Sequence, residues 1–252
     1  MTRLDLSAQA RPLRPRVPEL PLLAPAAIAT WHGRMVNETI SARVFEALAT
    51  QLEAAGLGAH APPCRRHAEE ERRHGVLCGA VVEALGGAAR AELGELPEVP
   101  LHEDCGAIEG VLRNLLSVSC MSETVAVSLI GAERQEMPEG ELRTLLTRIW
   151  ADEIGHARFG WGLVRTLLPR LDAKEHARVE RYLAQAFAHL EEHELACIPL
   201  EGRPGDGGEA LGLCHGPSAR ALFVATVETV IVPGLAALGL DAERAWTSRA
   251  AA

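Results

Sequence analysis

The chain has 252 residues, 48% of them hydrophobic, enough for a substantial core, and its apolar spacing predicts one large all-α fold. A net charge of −9 argues against non-specific nucleic-acid binding. The six cysteines form no Cys-x-x-Cys pair, which excludes a rubredoxin-type iron site; no signal peptide or run of membrane-spanning length is visible, so a cytoplasmic, reduced protein is expected.

Residues 1–25, rich in Arg and Pro, read as an irregular arm lying over the rest of the chain or a partner. A first helix is predicted from Ala26 to Ala55, with the seam Ile28, Trp31, Met35, Glu38, Ala42, Phe45, Ala49 and Leu52; one carboxylate interrupts an apolar stripe. The second, from Pro63 to Leu85, has the seam His67, Glu71, His74, Cys78, Val81 and Leu85, with Pro62 and Pro63 suited to its first turn. Gly86 to Gly106 has no sustained period and is long enough to cross a bundle, which would make the second and third helices parallel.

The third helix, Ala107 to Ala132, gives Leu112, Leu116, Ser119, Glu123, Ala126 and Ile130. The fourth, Glu141 to Leu168, gives Leu142, Leu146, Ile149, Glu153, His156, Gly160, Leu163 and Leu167. Residues 26–168 thus form a four-helix unit, and 169–252 a C-terminal extension packed on it. In that extension Asp172 caps a fifth helix with Glu175 three residues on, ending near Cys197. A Gly-rich loop from Gly202 to Gly216 follows, and Pro217 opens a sixth helix that Pro233-Gly234 is expected to end.

Two of the four seams repeat Glu-x-x-His, as Glu71/His74 and Glu153/His156, a spacing that turns a carboxylate and an imidazole to one helical face. About one chance occurrence is expected at this composition, so the seams carry the weight. Each of four helices brings one inward carboxylate and two add a His, the ligand set of a two-metal site in a four-helix bundle. Four buried carboxylates would otherwise be costly, and two divalent ions supply the missing charge. Level supports this: Glu123 and Glu153 are equidistant from Pro138, and Glu38 and Glu71 nearly so from Ala54 and Ala55.

These features resemble the ferritin-like superfamily, over about Trp31 to Leu168. The resemblance implies a four-helix bundle with a long crossover between helices two and three, here with two further C-terminal helices. It also implies two iron ions, with manganese or a mixed Mn/Fe pair as alternatives. Glu38 with His74, and Glu123 with His156, would be the terminal ligands of the two metals, and Glu71 and Glu153 the bridging carboxylates. Glu109, on the same helix, is the alternative to Glu123, further from the required level.

Around the ligands, Asp152 and Glu70 precede the motif glutamates and are candidates to hydrogen-bond a ligand imidazole. His67 is a candidate third imidazole or a core-edge histidine, and Glu228 a candidate that reaches the site or an Arg. Trp31 and Trp150 read as packing residues. The single Tyr182 lies outside the four helices, which disfavours a tyrosyl-radical reductase subunit.

The expected function is an O2-activating oxidase or oxygenase acting on a small organic substrate, with external electrons, since no flavin, iron–sulfur or nicotinamide motif is present. The alternatives are a ferroxidase or iron-storage protein and a non-catalytic metal-binding scaffold. A homodimer is a further expectation; nucleic-acid and membrane partners are not expected.

Overall fold

Alternating three- and four-residue apolar steps produce long helices along all four seams, and the computed structural model, which describes residues 2–93, 99–202 and 205–251, is all-helical apart from one short ribbon. In chain order the elements are β1 Thr2–Asp5, α1 Ser7–Ala10, α2 Ala24–Ala54, α3 Ala61–Ala84, β2 Arg90–Leu93, α4 Ala107–Leu115, a π-helical stretch Leu116–Ser122 and α5 Glu123–Glu136. There follow α6 Glu141–Leu167, α7 Ala173–Cys197, α8 Gly216–Thr226, a second π-helical stretch Val227–Ile231, α9 Val232–Ala236 and α10 Ala242–Ser248. The chain divides into two compact units, Met1–Val99 with Ala132–Asp152 and Arg203–Cys214, and Pro100–Gly131 with Glu153–Gly202 and His215–Ala252. Two of the divisions fall inside α5 and α6.

In the first unit α2 and α3 are antiparallel. Glu53 meets Arg65, Glu46 meets Arg72, the Cys64 thiol donates to the Phe45 carbonyl, and Gly75 lies against Met35, Glu38 and Thr39. Trp31, Met35, Phe45, Leu48 and Leu52 are fully buried. The arm expected to be irregular is ordered at its start: β1 pairs antiparallel with β2, Thr2 opposite Leu93 and Asp5 opposite Arg90. Arg11 and Arg14 then reach Glu83 of α3 at 3.4 and 2.6 Å, and Glu83 also accepts from the Ala89 N–H. Residues 94–98 of the predicted crossover, and 203–204 of the Gly-rich loop, lie outside the described residues.

In the second unit the N-terminal part of α5 and the C-terminal part of α6 run antiparallel, with Ser119 against Gly160 and the Trp161 indole donating to the Thr124 hydroxyl at 3.0 Å. Glu109, fully buried, is clasped by Arg113 and Arg178, so it is committed to an ion-pair network between α4 and α7. Tyr182 of α7 hydrogen-bonds Ser117 at 2.8 Å. The Asp172 capping box forms as expected, with Asp172 accepting from Lys174 and Glu175 N–H and Glu175 accepting from Asp172 N–H. α10 packs on α7 through Phe187 and Trp246, and Arg249, just beyond α10, reaches Glu191 of α7.

The sixth helix does not stop at Pro233. The π-helical stretch before it shifts the carbonyl register, so the proline's missing N–H and its ring are accommodated at the start of α9. A second correction concerns length: Ala107–Glu136 and Gly216–Ala236 are each long and apolar enough to cross a membrane, by length and composition alone. Between Asn114 and Ala132 the sole charge is Glu123, and Gly216–Ala236 carries just Arg220 and Glu228; the remaining off-seam positions there are mostly Ala, Val, Gly, Ser and Thr, which a seam-only reading overlooks.

Candidate metal centre

Each unit gathers its own cluster of His and Glu side chains of the kind that can hold a metal ion. In the first, α2 contributes Glu38 and α3 contributes Glu71 and His74. One ligand atom from each lies within 4.8 Å of the other two. Glu71 and His74 are buried, at 2% and 1% exposure, while the Glu38 side chain is partly exposed. The helices come unusually close here, because Gly75 has no Cβ; one placed there would lie 3.1 Å from the Thr39 hydroxyl.

The His74 ring is oriented from both sides. Its Nε2 is 3.1 Å from the Asp152 carboxylate and its Nδ1 is 3.4 Å from Glu38. With Nε2–H donated to Asp152, Nδ1 is left as a lone-pair donor facing the carboxylates. Arg73 stands 3.8 Å from Asp152 and 3.6 Å from Glu70.

The second cluster is built the same way. Glu123 opens α5, and Glu153 and His156 follow one another on α6, with ligand atoms again within 4.8 Å of one another. His156 Nδ1 lies 2.9 Å from Glu153 and 3.7 Å from Glu123. All three residues are buried. Burial, and next the charge of Glu153, push the Glu123 carboxyl well above its ordinary range, with His156 acting in the opposite direction. A cation held between these groups would reverse that balance and allow both carboxylates to ionise. Nitrogen and carboxylate donors of this kind suit iron or manganese.

The candidates around the ligands divide. Asp152 hydrogen-bonds His74 at 3.1 Å. Glu70 bonds His67 at 3.1 Å. His67 is buried edge-on to Phe45, with ring centroids 5.6 Å apart, which agrees with a core-edge histidine. Glu228 is exposed, so the expectation that it reaches the site is corrected; it lies on the π-helical stretch, whose register turns it to solvent. Trp31 packs, donating to the Leu211 carbonyl at 2.8 Å under the Arg34 guanidinium, and Trp150 lies under Arg134.

Sequence reasoning missed Ser119 and Gly160, one helical turn from Glu123 and His156 respectively. A signal existed: both are small residues in otherwise apolar seams, equally far from the turn at residues 139 and 140. No protein-family model matches this chain, and no curated protein matches it either.

Proposed function

We propose that the two clusters are halves of one two-metal carboxylate centre in a ferritin-like four-helix bundle of α2, α3, α4–α5 and α6, and that the protein is an O2-activating oxidase or oxygenase. The observation that carries this reading is the duplicated donor set. Each cluster has one Glu from one helix and a Glu-x-x-His pair from the next, with the histidine Nδ1 facing the carboxylates.

In this reading Glu38, Glu71, His74, Glu123, Glu153 and His156 would hold two iron ions. Bound there, the ions would supply redox chemistry toward O2, with electrons from an external donor. The chain's own groups fix the geometry. Asp152 keeps His74 in the tautomer that leaves Nδ1 unprotonated, and the buried surroundings of Glu153 and His156 exclude water and strengthen every charge interaction there. The substrate is a small organic molecule.

The test is iron content per chain after anaerobic Fe(II) loading and desalting, beside a Glu71→Ala/Glu153→Ala control. The expected result is about two iron per chain in the wild type and a loss in the control. Iron near zero in both would overturn the reading. O2 uptake by the loaded protein then separates the chemistry: uptake that requires an organic substrate supports an oxygenase, whereas uptake driven by Fe(II) alone supports iron oxidation.

A further inference from the structure

Ser119 is fully buried, and its hydroxyl has no hydrogen-bond partner among the described residues. A serine inside a helix ordinarily returns its hydroxyl to a carbonyl in the preceding turn. Ser122, three residues further on, does so, donating to the Ser117 carbonyl at 3.2 Å. Ser119 does not, and a buried hydroxyl left unpaired is a cost that alanine in the same space would avoid.

Three features of the surroundings bear on this hydroxyl. Ser119 lies one turn before Glu123. It sits within the π-helical stretch Leu116–Ser122, a rare geometry that widens the turn and is concentrated at functional positions. Across from it stands Gly160, one turn after His156 on α6. A Cβ at Gly160 would come within 2.2 Å of the Ser119 Cβ and 3.0 Å of its backbone carbonyl carbon, so α6 accepts Ser119 only because residue 160 is glycine. Two helices have thus been shaped to seat a hydroxyl one layer from Glu123, Glu153 and His156.

We infer that Ser119 is a ligand-contacting residue whose hydroxyl donates a hydrogen bond to a small anionic or oxygen-bearing acceptor held at the Glu123, Glu153 and His156 cluster. The inference rests on the reading of that cluster as metal-binding. It adds what the carboxylates cannot provide, because ionised Glu123 and Glu153 only accept hydrogen bonds. A neutral donor beside them makes room for an acceptor that the carboxylates alone would repel.

The test is azide titration of the iron-loaded protein, followed by its charge-transfer absorption, in the wild type, Ser119→Ala and Ser122→Ala. Iron per chain and the apoprotein's thermal midpoint are measured for each. Ser119→Ala is expected to keep the wild-type iron content and an apoprotein midpoint equal or higher, while weakening azide about fivefold, which is about 1 kcal/mol. Ser122→Ala, whose hydroxyl is already spent on a backbone carbonyl, is expected to bind azide as the wild type does.

Unchanged azide affinity in Ser119→Ala with full iron overturns the inference and leaves the metal reading standing, as does an iron-loaded wild type that takes no azide. Iron near zero in the wild type overturns both. A loss of iron in Ser119→Ala alone also counts against the inference, since it would make the hydroxyl part of the scaffold rather than a contact to the ligand.

Discussion

His74 illustrates what a Glu-x-x-His spacing leaves undetermined. The spacing turns the ring to the inner face but does not choose which nitrogen faces it; Asp152, on another helix, makes that choice by accepting from Nε2. Asp152→Asn is therefore expected to weaken metal binding about 10–100-fold, read from the Fe(II) or Co(II) binding isotherm. Equal isotherms for wild type and Asp152→Asn would show that the carboxylate does not set the ring. The six proposed ligands were readable because burying a charge is expensive enough for each to stand out in an apolar seam. The pairing of Asp152 with His74 was not readable, since it joins positions 78 residues apart.

Among elements, the well-predicted ones are those whose signals are local. Asp172 and Glu175 announce their capping box in sequence, and Asp172→Ala is expected to cost about 1 kcal/mol in urea unfolding through loss of two N–H contacts at the start of α7. The two π-helical stretches were invisible because one extra residue per turn only shifts the apolar register, and a seam of mixed three- and four-residue steps absorbs the shift. The β1–β2 ribbon was missed for a related reason: four-residue strands are too short for an alternation to emerge. Where α5 and α6 touch, Gly160→Ala must displace backbone as well as the Ser119 side chain. It is expected to cost about 1–3 kcal/mol in the same urea measurement. A neutral Gly160→Ala would mean that the two helices slide apart freely at this level.

At the scale of the whole molecule, the Glu83 carboxylate is one of the groups that fasten the N-terminal arm. Arg14 first, with the Ala89 N–H and Arg11, holds the Glu83 carboxyl down at about 2, against 4.5 for a free group. A carboxyl depressed by folding contributes stability that is fully present above its unfolded value and is lost as the pH falls through its folded value. The thermal midpoint is thus expected to drop between about pH 4.5 and 2, and Glu83→Gln to flatten that part of the curve. A variant whose midpoint tracks the wild type through this window would remove Glu83 from the account. Metal enters the same balance: at a free iron concentration 100 times its dissociation constant, loading should add about 2.7 kcal/mol, lost on chelation and absent in Glu71→Ala/Glu153→Ala.

The bond from the Trp31 indole to the Leu211 carbonyl closes a loop of 180 residues, and Gly212 beside it holds a left-handed φ of 77° where any Cβ would meet Glu133 and Trp31. A contact so distant along the chain carries a large closure entropy and comes late in assembly. Its worth is then kinetic: loosened by Trp31→Phe, the protein should fold at nearly its original rate and come apart faster, so this latch governs how long a folded molecule lasts.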